Sequence, residues 1–206
     1  MNPTINAPTG QLQSLRVLVG CEMSGRVRDA FTAAGHSAMS CDLGPSRSVG
    51  EHYSGDLFDL ESEHFDLVIL HPPCTFLSRA GIGWRDHPGR LESRQLAAAF
   101  FRRCLAWPAA SVAVENPVMM RAALSLVGVS ASQYVEPFDF GDPWTKKTGL
   151  WLRGLPLLRP AGSVPPLGSW TLANRDGVSR SLTSPALAAA MASHWGVNAL
   201  VQAPLW

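Results

Sequence analysis

The strongest apolar signal along the chain is Leu67-Val68-Ile69-Leu70, which runs without a polar break into His71-Pro72-Pro73-Cys74. A strand covered on one face alternates apolar and polar residues. A continuous run belongs to a strand buried on both faces, as in the parallel sheets of α/β proteins. Upstream, Leu15 to Gly20 predicts a first strand, Gly25 to Ala34 a helix closed by Gly35, and His36 to Cys41 a second strand ending at Asp42. Arg90 to Ala106 carries a helical period. Leu91, Gln95, Ala98, Phe101 and Leu105 fall on its expected buried side, with Arg94, Arg102 and Arg103 more exposed. The run Ser111-Val112-Ala113-Val114 follows, so this helix predicts the crossover between two parallel strands.

Ligands of parallel α/β sheets sit beyond the carboxyl ends of the strands. The run ending at Leu70 therefore delivers Cys74 to the place where chemistry occurs, and the run ending at Val114 delivers Glu115-Asn116-Pro117 beside it. A thiol and a carboxylic acid on neighbouring strands suit covalent catalysis, which splits one hard step into two.

Composition narrows the setting. A chain of 206 residues fits one α/β core, and no uninterrupted apolar stretch is long enough to cross a bilayer. The expected organisation is a polar tail over residues 1–14 followed by a single catalytic domain over 15–206. The tail lacks the charged-then-apolar build of a signal peptide, and Cys21, Cys41, Cys74 and Cys104 show no paired spacing. Reduced thiols and a cytoplasmic location are expected.

Pro73-Cys74 followed by Phe76, Ser78, Ala80 and Gly81, with Glu115-Asn116 further on, resembles the Pro-Cys-Gln and Glu-Asn-Val signatures of the cytosine-C5 DNA methyltransferases. The resemblance covers roughly residues 15 to 195 and is nearest to the short, stand-alone phage and prophage members. It implies a Rossmann-like S-adenosylmethionine-dependent methyltransferase fold, with a mostly parallel sheet and helices on both faces. It also implies that Cys74 adds to C6 of the pyrimidine while Glu115 engages N3 and the exocyclic amine. C5 of cytosine is a poor nucleophile until a thiolate adds at C6 and makes an enamine. The charge that then builds at N3 favours a glutamate of raised pKa.

The same resemblance implies a cofactor set. Gly20-Cys21-Glu22-Met23-Ser24-Gly25 resembles the family's glycine turn, where small residues let the backbone approach a ligand and a helix N-terminus offers N–H groups. Asp42 is expected at the ribose of S-adenosylmethionine, and Asp56, with Leu57 in a Gly-Asp-Leu, at its adenine amine; His71 and Pro72 complete the set. Taken singly, either aspartate reads as well as a turn or cap residue.

Phe140 to Thr148 takes the place of the family's Tyr-Gly-Val-Pro-Gln-x-Arg-x-Arg, with Lys146 and Thr148 where the arginines belong, and Thr75 replaces the glutamine after the cysteine. Family members carry a long target-recognition domain next, but here about thirty residues separate Gly154 from Ser184, and residues 155–180 read as a loop-rich remnant. Low sequence specificity follows, unless a second copy or a partner chain supplies it. Residues 21–66 hold nine acids against three arginines, whereas residues 78–103 hold six arginines against Asp86 and Glu92. Residues 144–180 hold six basic residues against Asp176. This asymmetry predicts a basic face for phosphates. The expected partner is DNA with its cytosine flipped or single-stranded. Pro73, Ser78, Arg79, Trp84, Arg85, Asn116, Lys146, Lys147 and Thr148 are the expected contacts, within or near a loop from Ser78 to Gly89 that closes over substrate. Trp84 reads equally as a base-stacking residue and as an anchor for that loop.

A zinc deaminase needs Pro-Cys-x-x-Cys, and position 77 is Leu. His71-x-x-Cys74 has no matching second pair, so no metal is expected. A non-catalytic binding module of the same fold remains open, as does C5 modification of RNA, of a free nucleotide, or with a modified donor.

Overall fold

The computed structural model describes residues 14–79, 88–174 and 176–198. Its strands are β1 (Arg16–Gly20), β2 (Ser37–Asp42), β3 (His52–Ser54), β4 (Leu67–Leu70), β5 (Ser111–Pro117), β6 (Gln133–Val135), β7 (Trp144–Thr145), β8 (Thr148–Arg153) and β9 (Gly168–Ser169). The helices are α1 (Arg26–Ala33), α2 (Arg90–Leu105), α3 (Arg121–Val127), α4 (Trp170–Ala173), α5 (Gly177–Ser181) and α6 (Pro185–Asn198). Seven strands form one sheet in the order β3-β2-β1-β4-β5-β8-β6, and β7 pairs β9 separately. Neighbours from β3 to β5 are parallel, while β8 runs antiparallel to both β5 and β6. This is the Rossmann-like, mostly parallel sheet with helices on both faces that the sequence implies. The strand order reverses between β1 and β4, which opens a crevice at their carboxyl ends.

Residue parity explains the unbroken apolar runs. Val17, Val19, Leu67, Ile69, Ala113 and Leu150 face α1 and α6, meeting Val27, Phe31, Leu187, Met191 and Trp195. The intervening Leu18, Val68, Leu70, Val112, Val114 and Trp151 face α2 and α3, meeting Ala98, Phe101, Cys104, Ala123 and Val127. Both faces are covered, so every position on β4 is apolar and buried.

The buried stripe of α2 departs from expectation at its start. Leu91 is 65% exposed and Gln95 is exposed, whereas Arg94 is half-buried and donates from Nε to the Phe76 carbonyl at 3.3 Å. Burial begins at Ala98 and continues through Phe101 and Cys104. The helix meets the sheet only in its second half, so the first two turns contribute no core.

Arg28 on α1 is fully buried. Its guanidinium donates to Asp29, to the hydroxyls of Ser40, Ser46 and Ser48, and to the carbonyls of Val49 and Glu51. One side chain thereby ties the loop between β2 and β3 to the helix that follows the β1 turn. Among the described residues, no helix is long and apolar enough to cross a membrane.

Candidate active site

Parallel pairing places Leu70 opposite Val114, so the next residues, His71 past the end of β4 and Glu115 still within β5, stand side by side. His71 Nδ1 and Glu115 Oε2 are hydrogen-bonded at 2.9 Å, with the two side chains 11% and 9% exposed. One residue further, Asn116 Nδ2 donates to the Pro72 carbonyl at 2.8 Å. The His71 amide bonds the Gly20 carbonyl at 2.9 Å. The segment leading to Cys74 is thus fastened to β1 on one side and β5 on the other.

Cys74 opens a tight turn, its carbonyl accepting from the amides of Leu77 and Ser78 and from the Ser78 hydroxyl at 3.1 Å. The far end is pinned by the Met120 amide on the Leu77 carbonyl. Ser78 is fully buried here. It belongs to the surroundings of the thiol rather than to a phosphate surface, which corrects its expected role.

Burial pushes the Cys74 thiol above its ordinary value, and Glu115 adds to that; the Ser78 hydroxyl and Lys146 pull it down. Glu115 departs from expectation. Burial alone would raise it, but the hydrogen bond from His71, together with Lys146 and the Thr148 hydroxyl, holds it below the usual glutamate value. The resting site therefore holds a protonated thiol beside an ionised carboxylate, because a basic neighbour outweighs desolvation. Register puts Thr148 opposite Pro117, on the strand next to Glu115.

Lys146 also differs from its expected role as a surface phosphate anchor. Its ammonium donates to the carbonyls of Leu182 at 2.8 Å and Ser181 at 3.4 Å, and its amide bonds Glu136 Oε2 at 2.7 Å. Burial lowers its pKa, while Glu115 and Cys74 raise it. It lies among the reactive groups. Asp142 accepts from the Ala186 amide at 2.9 Å at the start of α6, so the segment from Asp142 to Lys146 joins that helix to the site.

The turn after β1 is closed largely by the protein's own atoms. A side chain at Gly20 would lie 2.5 Å from Leu57 Cδ1 and from Leu70 Cδ2, so these two core side chains occupy the space that the glycine leaves. Leu57 is accordingly a core residue, 4% exposed. Glu22 is buried, and its carboxylate accepts from the Ser24 hydroxyl and the amides of Val27 and Arg28. It caps α1, taking the N–H groups that a ligand was expected to use. Gly25 holds φ +74°, and a Cβ there would strike Ser48 and Arg28.

The two aspartates stand apart from this closure. Asp42 Oδ1 accepts weakly from the Gly44 amide at 3.3 Å, and Asp56 Oδ1 caps the turn at Leu57–Leu60 through the Phe58 amide. Asp56 is therefore a cap, one of the two readings its sequence left open. After burial and Cys104, both carboxylates push up the pKa of Cys21, which holds φ 58° at the tip of β1. Asp42 and Asp56 thus both lie within electrostatic reach of Cys21. Among the described residues no three side chains converge as metal ligands.

Of the residues expected to contact nucleic acid, Pro73, Arg79 and Lys147 are exposed, with Lys147 Nζ 5.5 Å above the Tyr134 ring. Trp84 and Arg85 lie outside the described residues. Several arginines expected on a basic face hold backbone or ion-pair partners instead. Arg102 donates to the Leu126 carbonyl, Arg103 pairs with Glu61 at 2.6 Å over the Phe58 ring, and Arg153 donates to the carbonyls of Leu105, Trp107 and Ala109. The sequence did not indicate His71 as the partner of Glu115, nor Arg28 as a buried tie. Both depend on long-range contacts; the adjacency of His71 and Glu115 at matching strand ends was the one available signal.

No protein-family model matches the chain, and no curated protein does. Among solved structures the chain is similar to S. pombe Dnmt2 methyltransferase, with 15% identity and a TM-score of 0.43 over 68% of this chain and 50% of that one. A variant of Spodoptera frugiperda DNMT2 gives 14% identity and a TM-score of 0.38 over 75% of this chain and 55% of that one. WbdD bound to a kinase inhibitor gives 14% and 0.41 over 74% and 39%. The chain spans about half the length of the Dnmt2 structures it matches.

Proposed function

We propose that the protein is a DNA cytosine-C5 methyltransferase, with residues 15–206 as its catalytic domain, Cys74 as nucleophile and Glu115 as the partner of the base. The observation that carries this reading is the pairing of a thiol turn and a carboxylate at the ends of two adjacent parallel strands, joined by the His71–Glu115 and Asn116–Pro72 hydrogen bonds. Cys74 adds to C6; as the S–C6 bond forms the thiol gives up its proton and N3 of the ring gains one, so the addition is neutral overall. Glu115, within electrostatic reach of Cys74, is the group suited to pass that proton. The resulting enamine makes C5 nucleophilic, and loss of the C5 proton later releases the thiol.

S-adenosylmethionine, when bound, supplies an electrophilic methyl group. Asp42 and Asp56 would hold its hydroxyl and amine donors, and these two carboxylates, both within electrostatic reach of Cys21, suit its positive charge. Arg79 and Lys147 would hold phosphates with little readout of sequence.

The test uses 5-fluorocytosine oligonucleotides, in DNA and in RNA, because fluorine blocks the final elimination and leaves the adduct trapped. Wild-type protein with S-adenosylmethionine should give a covalent band on DNA, and Cys74→Ser should abolish it while cofactor binding persists. Trapping that survives in Cys74→Ser refutes the nucleophile. Trapping on RNA alone moves the substrate class, and trapping on neither points to a non-catalytic module.

A further inference from the structure

We infer that His71 is a positioning residue for the reaction: its Nδ1–H clamps Glu115 Oε2 and fixes the carboxylate as a hydrogen-bond acceptor facing the base. This deepens the reading just given and rests on it.

Geometry carries the inference. The 2.9 Å contact joins side chains only 11% and 9% exposed, so water offers little competition, and the Leu70–Val114 register holds both backbones in place. An ionised carboxylate has no proton to give, so the shared proton belongs on Nδ1. The other ring nitrogen, Nε2, is buried and has no partner among the described residues, so no second hydrogen bond there selects the opposite tautomer. Glu115 alone sets the tautomer, and the imidazole in turn sets the rotation of the carboxylate.

The clamp has a consequence for the base. Cytosine offers an exocyclic amine to an acceptor, but its N3 carries no hydrogen in the ground state. Once Cys74 has added at C6, N3 carries a proton and can bond the same carboxylate. The interaction at N3 therefore strengthens as the adduct forms, which lowers the barrier rather than merely tightening binding. Uracil would turn a carbonyl oxygen toward the carboxylate where cytosine turns its amine, so the clamp also disfavours that base.

Three substitutions separate positioning from packing. Asparagine can place an N–H near the Nδ1 position, glutamine places its amide nearer to Nε2, and alanine offers neither. In a steady-state methylation assay on the full chain, His71→Ala should lower kcat by about 10- to 100-fold while KM for the oligonucleotide stays within about twofold. His71→Asn should recover most of that loss and His71→Gln little. The spectroscopic readout is independent of activity: in protein labelled with 15N-histidine, the resonance missing from His71→Asn should report an Nδ1–H tautomer, which Glu115→Ala abolishes. An Nε2–H tautomer in the wild type overturns the clamp. So does a loss confined to KM, or equal impairment of the alanine and asparagine variants. If the wild type neither methylates nor traps any cytosine substrate, the methyltransferase reading fails, and the tautomer still decides whether the clamp exists.

Discussion

Replacing Lys146 with methionine should slow covalent addition without changing how DNA binding depends on salt. Its ammonium donates to the Leu182 and Ser181 carbonyls, so it neutralises no phosphate and binding releases no counterion on its account. A residue that does contact a phosphate contributes about 0.9 to the slope of log affinity against log salt; exposed Lys147, replaced by alanine, should lose roughly that much. The chemistry responds differently, because Lys146 pulls down the pKa of both Cys74 and Glu115. Removing the cation lets both rise. An interaction of about 1.4 kcal/mol, modest for charges at an effective dielectric of about 20, corresponds to an about tenfold smaller thiolate fraction at neutral pH. The rate of 5-fluorocytosine trapping should thus fall about tenfold at pH 7, and about one unit of added pH should restore it. Lys146→Arg, which keeps the charge, should lose less. The reasoning is refuted if Lys146→Met traps at the wild-type rate while its salt slope drops by about one. That pattern would make Lys146 a phosphate anchor after all.

Stability should depend on pH at both ends. Glu115 has a folded-state value below the ordinary one, so its contribution is present above the usual glutamate range and lost as pH falls through and below it. Burial pushes Cys41 up to about 11 and Cys104 up to about 12 from 9.0, so their contributions hold below about pH 9 and are lost as pH rises toward those values. Urea midpoints that stay flat from about pH 8 to pH 11 would contradict the alkaline limb. Arg28→Met removes the buried donor shared by Asp29, three serine hydroxyls and two backbone carbonyls and should cost about 3–5 kcal/mol, lowering Tm by roughly 10 °C by calorimetry. A melting point within about 2 °C of wild type would show that the loop between β2 and β3 does not need it.

The chain's apolar periodicity was sufficient for the sheet's centre. Unbroken runs at β4 and β5 require cover on both faces, and a helix between them requires a parallel crossover, so the strands that lead to Cys74 and Glu115 were legible as neighbours from the sequence alone. Glycines and acids in the turn after β1 were not legible because local sequence does not say what fills the space beside them. Gly20 makes room for Leu57 and Leu70, and Glu22 caps its own helix, both through contacts that exist only once β1, β4 and α1 have packed. Charge misled in the same way. Lys146 and many arginines carry formal charge wherever they stand, but whether that charge meets a phosphate, a backbone carbonyl or a catalytic carboxylate depends on distant segments: residues 181–182 for Lys146 and residues 105–109 for Arg153. The sign of the Glu115 shift was decided in the same place. Burial was foreseeable from an apolar strand, but the histidine that outweighs it lies 44 residues away in sequence, and only strand pairing brings it to 2.9 Å.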